Sequence, residues 1–286
     1  MKKTITFIFI QFIIMATFAQ SKPAYILYNS KGKKVKYKRM IKKLAKSDVV
    51  LFGESHNNPI SHWLELQVTK DLYAKKGKRL VLGAEMIEQD NQDVLNQYLA
   101  GEIDQKALDS LARLWPNHKT DYKPLVDFAK DNKLKFIAAN VPRRYAKMVF
   151  KGGFEALDSL PAKEKAWIAP LPPAYDPEVP SYKAMLTMME MHMGPNFPKA
   201  QAIKDATMAH FIMENLSKRA LFLHYNGSYH SNDHEGIGWY LNHHRPDLKV
   251  MTITTVSQKD ISKVLEENLG SADYIICVPE DMTTTY

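Results

Sequence analysis

The chain has 286 residues, with 39 Lys and Arg against 31 Asp and Glu, a formal charge of +8 and one cysteine, Cys277. A single cysteine excludes an internal disulfide, so packing alone must hold the fold. The charge does not describe a basic, nucleic-acid-reading domain: twelve cations and no acids precede residue 47, which leaves 8 minus 12, a net −4, for the remainder.

Met1-Lys2-Lys3 and the apolar run Ile5 to Phe18 read as a secretory signal peptide over residues 1–19, with the mature chain starting at Gln20. No cysteine ends that run, so no lipid anchor is offered. The cationic stretch Lys31 to Lys46 reads as a solvated surface, since Met40, Ile41 and Leu44 supply an amphipathic stripe. Tyr25–Tyr28 and Val35–Tyr37, joined by Ser30-Lys31-Gly32, predict a small leading hairpin.

Six short apolar runs then predict buried strands: 48–52, 79–83, 135–139, 221–225, 250–254 and 274–277, the last placing Cys277 in the core. Amphipathic helices separate them, the first carrying Ile60, Trp63, Leu64, Val68 and Leu72 on one face after Pro59. This alternation predicts an α/β fold, a mainly parallel central sheet flanked by helices. The interval 144–219 holds no strand signal and reads as a helical insertion before the fourth core strand, broken by a proline-rich loop.

Four of these strands end in chemically capable residues. The first leads into Gly53-Glu54-Ser55-His56, the second into Glu85, the third into Asn140-Val141-Pro142-Arg143, and the fourth into Gly227-Ser228-Tyr229-His230. Parallel strands direct their carboxyl ends to one edge, where ligands bind, so these residues are expected to converge. The glycines permit a close approach of backbone to ligand. Two histidines, His56 and His230, with nearby carboxylates suit zinc, manganese or a similar divalent ion. Glu54 or Glu85 can instead serve as general base on a bound water, and both roles stay open. Arg143 is expected to hold an anionic group or orient Glu85, with Asn140 beside it. Gln201 and Asp205, spaced i and i+4, form a polar pair that a helix can lower onto the pocket.

Tyr182 to Met193 contains five methionines in nine residues. Such a stretch is either a plastic helical core or a soft apolar surface for a flat ligand such as haem, with Tyr182 or His192 able to reach iron.

Gly53-Glu54-Ser55-His56, Gly83-Ala84-Glu85-Met86, Asn140-Val141-Pro142-Arg143, Gln201-x-x-x-Asp205-x-x-Met208-Ala209 and Gly227-x-x-His230 occur in the order seen in ChaN-like haem-binding uptake proteins. The chain resembles that family from about Val49 to Val256, within the superfamily that includes Tiki proteases and erythromycin esterases. The resemblance implies one α/β domain over residues 20–286, haem as ligand, and a role in acquiring haem iron outside the cytoplasm. It also implies paired haems between two subunits, and hence a homodimer, with outer-membrane uptake machinery as partner. A tyrosine in the helical part ligates haem in such proteins, and Tyr182 is its counterpart here. Relatives in the superfamily look like metal-dependent hydrolases, which carries His56, His230 and Glu54 or Glu85 over as an alternative catalytic set.

Overall fold

The computed structural model describes residues 22–187 and 194–286. Strand β1 (Ile26–Asn29) leads to α1 (Tyr37–Leu44), β2 (Val49–Glu54), α2 (Pro59–Lys76), β3 (Leu80–Glu88), α3 (Gln92–Ala100), α4 (Gln105–Leu111), α5 (Lys123–Asp131) and β4 (Phe136–Asn140). Helices α6 (Arg143–Gly152), α7 (Ala162–Lys165), α8 (Pro180–Thr187) and α9 (Phe197–Asn215) fill the interval before β5 (Leu221–Gly227). Then follow α10 (Ile237–His244), β6 (Val250–Gln258) and β7 (Tyr274–Pro279). The expected signal segment, and His192 with most of the methionine-rich stretch, lie outside the described residues. Among the described residues, no helix is long and apolar enough to cross a membrane.

The strands form one sheet in the order β1-β7-β6-β2-β5-β3-β4, parallel throughout except for the antiparallel edge strand β1. β2 is buried along its whole length because both of its faces are covered. Val50 and Phe52 enter a core shared with α1, α2, α3 and α5, while Val49 and Leu51 enter a second core with α9 and α10. The last helix of the insertion is therefore part of the sandwich: Ala206, Met208, Ala209 and Ile212 pack with Val49, Leu51 and Phe222. A third cluster, built from α6, α8 and the start of α9, holds the rest of the insertion together around Tyr145, Val149, Tyr182 and Ile203.

Two sequence expectations are corrected. The leading hairpin reduces to a single bridge between Tyr28 and Lys34, and Tyr37 opens α1 instead of closing a strand. β1 finds a four-residue ladder on β7, and α1 buries Met40, Ile41 and Leu44, so the tertiary contacts override the local turn signal. On α2, Trp63 is 49% exposed, whereas Ser61, His62, Glu65 and Thr69 are buried beside Leu64, Val68 and Leu72. This helix thus buries a polar stripe next to its apolar one.

Strands β3 and β5 run past the apolar runs that announce them, to Glu88 and Gly227. β5 lies between β2 and β3, and the chain continues from there to the other side of β2. The carboxyl ends of β2, β3 and β5 are consequently adjacent, at the point where strand order reverses. Gly53 is required there: a Cβ would stand 2.9 Å from the Ile253 carbonyl oxygen and 2.9 Å from the Ser228 Cα. Because both obstacles are backbone, Gly53→Ala is expected to lower stability by about 1–3 kcal/mol, read from the chemical denaturation midpoint.

Candidate functional site

At the ends of β2, β3 and β5 two histidine–carboxylate groups face each other. In the first, Glu54 closes β2 and its Oε1 lies 2.6 Å from His56 Nδ1, while the Tyr122 hydroxyl donates to the same oxygen at 2.7 Å. Asn58 caps α2 by accepting from the Ile60 and Ser61 amides, so His56 is free of capping duty. Its ring packs edge-on against Trp115 at 4.9 Å, and its side chain remains 35% exposed. His56 Nε2 rests against Gly227, where a Cβ would lie only 2.6 Å from it.

In the second, His230 is buried with Nδ1 2.5 Å from Asp205 Oδ1 and Nε2 3.1 Å from Glu85 Oε1. Glu85 Oε2 accepts the Gly227 amide at 2.8 Å. β3 loses its regular register against β4 between Ala84 and Glu88, which is where Glu85 leaves the ladder for the site. Gln201, one turn before Asp205 on α9, sets its amide nitrogen 3.1 and 3.0 Å from the two ring nitrogens of His230.

These contacts fix the charges. Burial disfavours charge on His230, but Glu85 and Asp205 outweigh it and carry the imidazole from 6.5 to about 10. Burial likewise pushes Glu85 upward, yet His230, His56 and the Gly227 amide bring it from 4.5 down to about 2. Burial opposes charge on His56 as well, and the bond to Glu54 with the nearby Glu85 raises it nonetheless. Burial alone would also raise Glu54, but hydrogen bonds from His56 and His62 hold it well below the usual carboxylate range.

Two open clefts meet this cluster. One, of about 460 Å³, is lined by Ser55, His56, Ser228, Tyr229, Thr255 and Tyr286. The other, of about 570 Å³, runs from Glu85 and Asn140 along Leu114, Trp115 and Pro116 to Arg143, Lys147 and Lys204. Asn140 is buried there with its Oδ1 lacking a protein partner.

Several expected roles change. Arg143 pairs with Glu88 at 2.6 Å, so Glu88, which the sequence reading passed over, takes the place expected for Glu85. Both ring nitrogens of His230 meet carboxylates, so an ion shared by His56 and His230 would require Asp205 or Glu85 to give way. Tyr182, expected to face a planar ligand, is fully buried and donates to Asp205 Oδ2 at 2.8 Å. Burial and Asp205 raise its phenol far above the ordinary value, which disfavours the tyrosinate that iron would need. The sequence reading also missed His62, Glu65, Asp121 and Tyr122, which support Glu54 from below. For His62 and Glu65 the advance signal is the polar spacing of Ser61, His62, Glu65 and Thr69 on α2.

A raised histidine contributes its stability fully below its unfolded value and loses it as pH climbs through the folded one. For a depressed carboxylate the loss comes as pH falls through its folded value. The His230 contribution should therefore be complete below 6.5 and fade towards about 10, and that of Glu85 should be complete above 4.5 and fade towards about 2. His230→Gln, which strands two buried carboxylates, should cost about 3–5 kcal/mol at pH 6 and flatten the alkaline limb of a thermal-midpoint profile.

Gly227→Ala addresses the other histidine. It should displace the His56 ring, visible as a shift of its imidazole resonances, with only a modest loss of stability because a side chain and not backbone must yield.

Comparison with known proteins gives the same frame. The structure of ChaN from Campylobacter jejuni, described for its cofacial haem binding, superposes with a TM-score of 0.65 at 20% identity, over 88% of this chain and 96% of that one. An erythromycin esterase, EreC, in its open conformation gives 0.51 at 10% identity, over 90% and 98%. At these identities the likeness is one of fold. RETICULATA-RELATED 5, a chloroplastic protein of Arabidopsis thaliana, is 26% identical over 195 residues, which are 62% of this chain and 26% of that protein. The chain thus spans about a quarter of the length of this curated relative. A family model described as haem-binding uptake, Tiki superfamily, ChaN matches residues 40–241, and the chain belongs to that family.

Proposed function

We propose that the protein binds haem in the cleft beside Trp115 and hands it on in haem and iron acquisition outside the cytoplasm. The observation that carries this reading is the match of the haem-binding uptake family across residues 40–241. The chemistry of the cleft supports it. Leu114, Trp115 and Pro116 offer an apolar wall for a macrocycle, and Arg143, Lys147 and Lys204 stand where carboxylates can be met. Haem is such a ligand, flat and apolar with two propionates. The solved relative's cofacial haem binding supports paired haems in a homodimer here as well. The basic, apolar start of the sequence supports export to the periplasm or beyond, and delivery from outer-membrane uptake machinery fits that location.

The test is a haem titration of the untagged mature chain followed by the Soret band and by size-exclusion chromatography. A saturable shift at about one haem per chain, with haem-dependent dimerisation, is expected. Lys147→Glu combined with Lys204→Glu should weaken binding by about tenfold, and haem dimethyl ester should show no such difference between the two chains. Tyr182→Phe should keep the band, because its hydroxyl is committed to Asp205, whereas loss in His192→Ala would assign the axial ligand. Absence of a saturable shift overturns the reading.

A second reading, hydrolysis of an ester or peptide, is favoured by one observation: Glu54 orients His56 through Nδ1 and leaves Nε2 facing Gly227 in a half-open site. A histidine so held is arranged as a general base, and Glu85 with the imidazolium of His230 supplies fixed charge beside it. Zinc or manganese would supply Lewis acidity and an activated water when bound. His56→Ala should then abolish turnover of whichever ester or peptide the wild-type chain cleaves.

A further inference from the structure

Beneath the cleft, the polar stripe of α2 closes a second cluster, of which the readings above use only Glu54. His62 Nδ1 lies 3.0 Å from Glu65 Oε2 and 3.3 Å from Glu54 Oε2. All three residues are buried, and their ligand atoms lie within 4.8 Å of one another. Glu65 Oε1 has no hydrogen-bond partner, and Glu54 Oε2 has none besides the longer contact from His62 Nδ1.

The other nitrogen of His62 decides what belongs there. Nε2 faces only acceptors, the His56 carbonyl oxygen at 3.1 Å and Asp121 Oδ2 at 3.5 Å, so it carries a hydrogen. Asn117 in turn donates to both of those acceptors, at 3.2 and 2.7 Å. A ring nitrogen fixed in this way by a carbonyl and a carboxylate is the outer support that metal-bound histidines receive. With that hydrogen in place, the lone pair of Nδ1 points between two carboxylate oxygens, a position that accepts either a proton or a metal ion. Without an ion the cluster is neutralised by a proton on His62 and a second on Glu65, whose carboxyl is pushed well above the usual range by burial and by Glu54. A divalent ion balances Glu54 and Glu65 with His62 neutral. Bonds of about 2.0–2.2 Å to such an ion separate neighbouring ligands by about 3.0–3.4 Å, which matches the two distances from His62 Nδ1.

We propose that Glu54, His62 and Glu65 form a buried binding site for a divalent transition-metal ion such as Zn²⁺ or Mn²⁺, distinct from any ion shared by His56 and His230. The ion ties the start of α2 to the end of β2 and holds Glu54 where it orients His56. The proposal does not depend on haem binding or on hydrolysis.

The experiment is equilibrium dialysis of the untagged, EDTA-treated chain against Zn²⁺ or Mn²⁺, with metal counted by mass spectrometry and thermal midpoints recorded in parallel. One equivalent per chain and a raised midpoint are expected for the wild type. Glu65→Gln, close to isosteric, should bind at least about tenfold more weakly, and Asp121→Asn should lose about 10- to 100-fold through the histidine it supports. His230→Gln should keep its equivalent. Circular dichroism checks that each variant is folded. A wild-type chain that retains no stoichiometric ion, or a Glu65→Gln chain that retains as much as the wild type, overturns the site and leaves the two protons in its place. Loss of the ion in His230→Gln with retention in Glu65→Gln would move it to the upper pair.

Discussion

Glu54, Glu65, Glu85 and Asp205 are carboxyl groups removed from water, and each of them is within reach of a histidine. Isolated burial of a carboxylate costs several kcal/mol even after the protein relaxes, so none of the four is tolerable without its partner. The rest of the architecture serves this pairing. β5 must lie between β2 and β3 for His230 to reach Glu85, and α9 must cover the sheet for Asp205 to reach His230. α2 must start at Asn58 for His62 to stand beneath Glu54. The same interactions that make the site capable of chemistry are thus the ones that would be most costly to break.

Much of this was legible from residue patterns. The apolar runs mark the core strands because strands covered on both faces need side chains without polar atoms, and the clusters at their carboxyl ends mark one edge. The pair Gln201 and Asp205 was legible because a separation of four on a helix has one geometric meaning. What stayed hidden was pairing across space. Arg143 stands equally near Glu85 and Glu88 in sequence terms, and only the irregular register at the end of β3 sends it to Glu88. Tyr182 looked like a ligand because a tyrosine beside methionines suits a flat apolar guest; nothing local says that Asp205 will claim its hydroxyl. The buried polar stripe of α2 was hidden by Trp63, whose exposure runs against its apolar character.

The haem-binding and hydrolytic readings proposed above draw on different parts of this surface. The cleft along Trp115 offers apolar area and surface cations, while the Glu54–His56 pair offers an oriented imidazole. They meet at Glu85, which lines the cleft, and at Trp115, which packs on His56 and also walls the cleft. A ligand in the cleft therefore touches the residue that confines His56, and ring packing of this kind transmits small displacements because protein interiors have little free volume.

The position of β5 has a consequence for how the chain must come together as it is made. β2 and β3 are neighbours in sequence but are separated in the sheet by a strand that begins at Leu221. Until that strand emerges, both carry an unsatisfied edge on the inner side. At synthesis rates of about 5–20 residues per second the gap stays open for roughly seven to twenty-seven seconds. The sheet cannot close from its N-terminal half alone. A nascent chain with two exposed inner edges is a natural client for holding factors, and it stays threadable until β5 has emerged.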